Sequence, residues 1–508
     1  MQNEMNPIFS NIQELKEWLL NVREKHLVEL KKAQELPHSF WESYSSFCNT
    51  SGGVIVLGVI EDNPYNRISG VGNPEKALRT LWDQLSNKNK VSFRSVDNED
   101  VSEYKFDDGK TVILINVKEA PAGLKPVFIG DNIENTWIRT GDGDRKATRE
   151  EIAAFMRNAK PGEDSLLLDN FDIDDLDYDS LLSFKEHVHK RYPRKKYLEM
   201  TNENFLDEIG AASLDRVSKK MKIKRGVLLF LGKVNRIKEI YPQYHVDYFN
   251  LRGNTTRWLD RITDDEPSEY QMNLFNFYKI VYGKLSALWN ESFELDQDQV
   301  RMPTSDADET IRECLVNCLA HADYSLGYPS VKIEAYDGWF RFLNPGIMLV
   351  SPSQFVKGGD SRPRNEIIMK LFRLYGVSER QGFGGPLIYK TASSKDFRRP
   401  EIITDIERTE LKVWNIDLVA SYPDLEGDEK LILQYIVKKG PGKSIRELSK
   451  ILSMSEYRVR KAMGSLENDH NLIETIGKGK ATRHILKMES VEMLTHLQIA
   501  VEKFKQHF

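Results

Sequence analysis

The segment from Glu24 to Asp62 sets Glu24 and Glu29 five residues apart and follows them with Lys31. It then runs through Phe47-Cys48-Asn49-Thr50-Ser51-Gly52-Gly53 into Val54-Ile55-Val56-Leu57-Gly58-Val59 and ends on Glu61-Asp62. A Gly-Gly turn opening an almost continuous apolar run reads as a buried strand. That strand carries Glu61 toward the two earlier acids. Three carboxylates gathered at one point could hold a divalent ion, because Mg²⁺ takes oxygen ligands and is usually bound by one or two carboxylates together with substrate phosphate. Glu24, Glu29 and Glu61 are therefore candidate metal ligands and candidate catalytic residues for phosphodiester chemistry, with Lys31 beside them for a phosphate. The same Glu-x4-Glu spacing also suits an ordinary solvated face.

Working outward, residues 11–20 alternate at helical spacing, residues 112–117 form a second apolar run, and residues 149–158 read as a helix before the exit at Pro161-Gly162. Residues 1–160 thus form a mixed α/β domain. Taken in order, Glu-x4-Glu-Leu-Lys, Asn-Thr-x-Gly-Gly and the strand ending Gly-Val-x-acidic resemble the Schlafen domain, also called the AlbA-like or divergent AAA domain. The resemblance closes on Trp137-Ile138-Arg139-Thr140-Gly141, which is similar to the family's Tyr-Ile-Arg-x-Gly. Nuclease members of that family cut tRNA or other RNA with three acids that fall here on Glu24, Glu29 and Glu61. Glu61, followed by Asp62, stands where the nucleases tend to have Asp. Many prokaryotic members with the same acids are described only as nucleic-acid-binding regulators, so the resemblance implies binding ahead of cleavage. Lys31, Arg139 and Arg145 are the expected nucleic-acid contacts of this domain.

Residues 161–295 read as a linker and mainly helical connector, with an acidic stretch at 169–177, a basic one at 189–196 and a strand-like stretch at 244–249. Beyond it, residues 310–321 form a strong helix on which Glu313, Asn317 and His321 share one face at four-residue spacing. A carboxylate beside an amide oxygen suits a nucleotide and its Mg²⁺. This helix, then Asn344-Pro345-Gly346, then Arg364-Asn365 and finally Glu379-x-x-Gly382-x-Gly384 resemble the GHKL-type ATP-binding domain that accompanies the Schlafen domain in prokaryotic proteins, over residues 296–420. By that resemblance Asn317 binds Mg²⁺, Glu313 activates water, the Gly382–Gly384 loop covers phosphates, and His321, Asn344, Gly346 and Arg364 complete the cofactor site. GHKL enzymes read adenine with Asp where this chain has Asn344. ATP is accordingly expected as a ligand, with hydrolysis by Glu313 a separate possibility.

Residues 421–508 read as a winged helix-turn-helix with a further C-terminal helix. Residues 431–437 form a helix, Ser444 and Glu447 make a capping box, and a third helix at 455–466 carries Arg458, Arg460 and Lys461. Two short strands follow around a tip with Lys478 and Lys480. From Lys430 to Lys487 there are thirteen Lys and Arg against five Asp and Glu, in a chain whose net charge is -5. A local excess of this kind meets DNA phosphates, whereas the whole-chain balance excludes a globally basic binder.

The 508 residues suffice for about three domains at the usual size. Three cysteines without zinc-module spacing point to reduced thiols and a cytoplasmic protein, and no apolar run suits a membrane span. The sequence thus describes an α+β multidomain protein: a Schlafen-like domain, a helical connector, a GHKL-like α/β sandwich and a winged helix. Its expected function is ATP-dependent regulation of nucleic-acid contacts in transcription or anti-phage defence. The alternative is a Mg²⁺- or Mn²⁺-dependent endoribonuclease using Glu24, Glu29 and Glu61. A homodimer is expected in either case.

Overall fold

A computed structural model describes residues 12–24, 27–63, 65–140, 143–159, 162–253, 257–291, 305–359, 362–378, 382–395, 397–439, 444–476 and 483–486. The first unit is built on a four-stranded sheet ordered Val28–Lys31, Gly53–Leu57, Thr111–Val117, Val101–Lys105, with the first pair parallel and the others antiparallel. Ile55, Leu57, Ile113 and Ile115 pack into one core with the helices Phe40–Asn49 and Pro74–Leu85. Their neighbours Val54, Val56, Val112 and Leu114 pack on Leu15 and Leu19 of the helix Ile12–Asn21. Because side chains alternate across a sheet and both faces are covered, the two central strands read as unbroken apolar runs.

Asn49 of the Asn-Thr-x-Gly-Gly signature is buried and structural. Its side-chain oxygen accepts from the Val127 amide at 2.7 Å, and its nitrogen donates to the Val127 and Trp137 carbonyls at 2.7 and 2.9 Å. The helix Arg149–Asn158 begins on a capping box between Thr148 and Glu151.

The expected connector and ATP-binding domain share one body. A six-stranded sheet runs Asp260–Thr263, Val246–Asn250, Val331–Tyr336, Trp339–Pro345, Arg408–Trp414, Glu401–Thr404, so two of its strands come from the segment read as connector. One hydrophobic core extends from Leu168 to Val413. Aromatic packing is the physical reason: Phe230 lies 5.7 Å from Phe275 and 4.9 Å from Phe372, ring centre to ring centre, joining helices on both sides of residue 295. A boundary there would divide that core.

The last unit has its own core of Ile432, Leu448, Val459 and Leu466, formed by the helices Gly427–Lys439, Ile445–Ile451 and Glu456–Asn468. The capping box expected at Ser444 and Glu447 is present. An antiparallel pair, Ile473–Ile476 with Arg483–Leu486, follows. Lys478, Lys480 and residues 491–508 lie outside the described residues. Cys48, Cys314 and Cys318 are buried and free, and among the described residues no helix is long and apolar enough to cross a membrane.

Candidate functional site

The sheet of the first unit places the three predicted acids in one neighbourhood without converging them on a point. Glu24 accepts from the Leu30 amide at 3.0 Å, and Glu61 accepts from the Glu24 amide at 3.3 Å. Burial raises the Glu24 carboxyl above the usual range, and the charges of Glu29 and Glu61 add to the effect. Glu29 is already neutralised, with Lys31 at 2.9 Å on one oxygen and Arg139 at 2.8 Å on the other. Among the described residues, the only three His, Cys, Asp or Glu groups whose ligating atoms all lie within 4.8 Å of one another are His245, Asp264 and Asp265. The Glu24–Glu29–Glu61 set does not form a ready-made metal cage.

Of the basic residues expected to grip nucleic acid here, Lys31 and Arg139 are buried against internal carboxylates, whereas Arg145 is paired but remains partly exposed. The Arg139 side chain is 0% exposed, bonded to Glu29 and to Asp144 at 2.9 Å, and stacked over the Phe47 ring. Lys31 is held by Glu29 with little of its side chain exposed. Arg145 makes a two-pronged contact with Glu151 at 2.9 and 2.6 Å. Asp144, which the sequence reading did not single out, is the second acid of the Arg139 site.

In the central body the helix Ser305–His321 flanks a cavity of about 730 Å³, within the size range of small-molecule sites. Glu313, Asn317, His321, Asn344, Gly382 and Gly384 all line it. Asn317 Nδ2 donates to Glu313 Oε1 at 2.9 Å, a bond that does not use the Asn317 oxygen. Gly384 opens the helix Gly384–Ser394 against Glu313: an added Cβ would fall 1.8 Å from Glu313 Oε1, so a side chain has no room there. The first amides of that helix carry partial positive charge suited to an anion. Asn344 is buried and gives Nδ2 to the Pro345 carbonyl at 3.2 Å, so its oxygen is the acceptor left for a ligand donor. Burial lowers the His321 imidazole to about 4, and the Arg364 charge pushes the same way. His321 is therefore a neutral wall at physiological pH.

Arg364 and Gly346 were expected at the cofactor and stand behind the wall. Arg364 donates to the His321 carbonyl at 3.1 Å, to the Ile347 carbonyl at 3.0 Å and to Asn158 of the first unit. Its fork is filled by main-chain and amide oxygens and by the Asp323 carboxylate at 3.5 Å. Gly346 has φ of +90° with Asp323 and Arg364 packed against it, a position that only glycine takes readily. Sequence reading missed Thr409, which lines the cavity opposite Asn344 in register and donates to the Gly346 carbonyl at 2.8 Å. It also missed Arg312 and Arg373 in the same wall.

The His245 cluster is an ion-pair knot. His245 Nε2 lies 2.6 Å from Asp247 and Nδ1 lies 2.8 Å from Asp264, while Lys238 and Arg261 add two further cations. Hydrogen bonds to Asp247 and Asp264 raise the imidazole to about 10, so at neutral pH both ring nitrogens carry protons directed at those carboxylates.

On the last unit Arg458 is paired with Asp428 in a two-pronged contact, Nε donating at 2.8 Å. Arg460 and Lys461 are exposed, as is Tyr457 at 77%, an aromatic neighbour that charge counting did not pick out.

Residues 24–148 match the family model described as Schlafen, AlbA_2, and residues 329–413 match one described as putative ATP-dependent DNA helicase recG C-terminal. Residues 153–247 match a domain of unknown function, DUF8451. No curated protein matches. The crystal structure of the DIP2311 protein from Corynebacterium diphtheriae aligns with 94% of this chain and 99% of its own at 14% identity, and its TM-score of 0.38 is too low to carry an argument. The two domain matches point to ATP binding and nucleic-acid association. The chain is thus similar to a Schlafen/AlbA domain over residues 24–148 and to an ATPase-like domain over residues 329–413.

Proposed function

We propose that this protein is an ATP-binding regulator of transcription or anti-phage defence whose grip on nucleic acid is set by nucleotide. The observation that carries the reading is Arg364, whose one guanidinium is bonded both to the cavity wall and to Asn158, the last residue of the helix that closes the Schlafen-like unit. Asp164, in the segment that leaves the first unit, holds the wall beside that contact. Its carboxylate accepts from the Ile367 and Ile368 amides at 2.7 and 3.1 Å and caps the helix Glu366–Tyr375, which carries the cavity residues Met369 and Arg373. Through the Arg364–Asn158 bond a change in the wall would reach the first unit.

The cavity residues fit a nucleotide. Bound ATP would supply a phosphate chain with its Mg²⁺. The Asn317 oxygen would take the cation, the amides at Gly384 would take phosphate, and the Asn344 oxygen would accept from a base, readings supported by the Asn317 and Asn344 nitrogens being the atoms used internally. Glu313, anchored by Asn317, would orient water. The last unit is read as a winged helix presenting Tyr457, Arg460 and Lys461 to DNA. The nuclease alternative gains no support from Glu29, whose two oxygens are already taken by Lys31 and Arg139.

Fluorescence anisotropy with a labelled DNA duplex and the full chain tests this. ATP with Mg²⁺ should shift DNA affinity, and replacing Arg460 and Lys461 by Gln should weaken binding and flatten its salt slope by about two. An affinity indifferent to nucleotide would reject the regulatory reading.

A further inference from the structure

The cavity is electrically uneven along its length. At one end His321, Asn344 and Thr409 present neutral groups. Nine residues earlier on the same helix, about 14 Å away at the helical rise, Arg312 lines the wall with Arg373 and Ser378. Arg312 has no hydrogen-bond or ion-pair partner among the described residues, and its Nε is buried without one. Its charge acts on the buried phenol of Tyr278 and the half-buried one of Tyr282, so the guanidinium sits where the helix Leu274–Glu291 meets the cavity. Arg364, by contrast, is filled by acceptors of the fold. A partly buried cation without an anion is costly until an anion arrives.

We propose that Arg312 marks the phosphate end of this cavity and receives the terminal phosphates of a nucleoside polyphosphate, so that the site selects by phosphate number. The proposal rests on the nucleotide reading given above. A guanidinium fork matches two phosphate oxygens. With the helix start at Gly384 beside Glu313, it would place the phosphate chain toward Arg312 and the base toward Asn344 and Thr409.

Calorimetric titration of the full chain with ATP, ADP, AMP and inorganic tripolyphosphate tests it. Arg312→Gln should weaken ATP by about tenfold or more and abolish tripolyphosphate competition, while AMP stays within about twofold. Equal loss for ATP and AMP, or no loss for either, overturns the proposal. If the Gln variant fails to fold, Arg312→Lys decides, because it keeps charge without the fork. It should weaken ATP relative to AMP by about threefold, and an unchanged ratio overturns the proposal. Wild-type protein that binds none of these ligands overturns the nucleotide reading itself, an outcome visible before any variant is made.

Discussion

Arg139 illustrates how a residue can be legible as part of a motif while its task stays hidden. It was expected to meet nucleic acid, yet it lies fully buried between Glu29 and Asp144 on the ring of Phe47. Glu29 is 110 positions away in the chain, so no local pattern could assign the pair. Removing one member of such a site leaves the others as uncompensated buried charge. Arg139→Met should therefore lower the unfolding free energy by about 3–5 kcal/mol in urea denaturation, and a loss below about 1 kcal/mol would assign the contact to the weak class of surface pairs. Glu313 and Asn317 were easier to read, because four-residue spacing places two side chains on one helix face. Their mutual bond at 2.9 Å follows from that spacing.

At the scale of elements, the strand Val246–Asn250 was visible from composition, whereas its place in a six-stranded sheet was not. Its parallel partner Val331–Tyr336 lies some 85 residues on, and register depends on neighbours that only folding supplies. The His245 knot pins this strand to the loop beyond Asp260–Thr263. The imidazole pKa is about 10 in the fold against 6.5 for the free side chain. Between those values the folded state holds a proton that the unfolded chain has released. The stabilisation is complete below about pH 6.5 and is lost as pH rises toward 10. Thermal unfolding should show a fall in stability across that window which His245→Phe removes. A fall of the same size in the variant would assign it to other groups.

For the whole molecule, the decisive contact is the one between Asn158 and Arg364. It joins a helix end in the Schlafen-like unit to the cavity wall, and it touches neither expected ligand. Asn158→Ala should leave ATP affinity and nucleotide-free DNA affinity within about threefold of wild type while removing most of the effect of ATP on DNA binding. Coupling that survives this substitution, measured by anisotropy with and without ATP and Mg²⁺, would route it elsewhere. The amino-acid order alone specified the helix faces, the capping boxes, the apolar strands and the two motif sets, because each depends on residues within a few positions of one another. Folding alone settled which charges were spent on internal partners and which stayed available, as the contrast between Arg364 and Arg312 shows. It also merged the connector with the ATPase-like domain, since one continuous core buries more apolar surface than two separate ones.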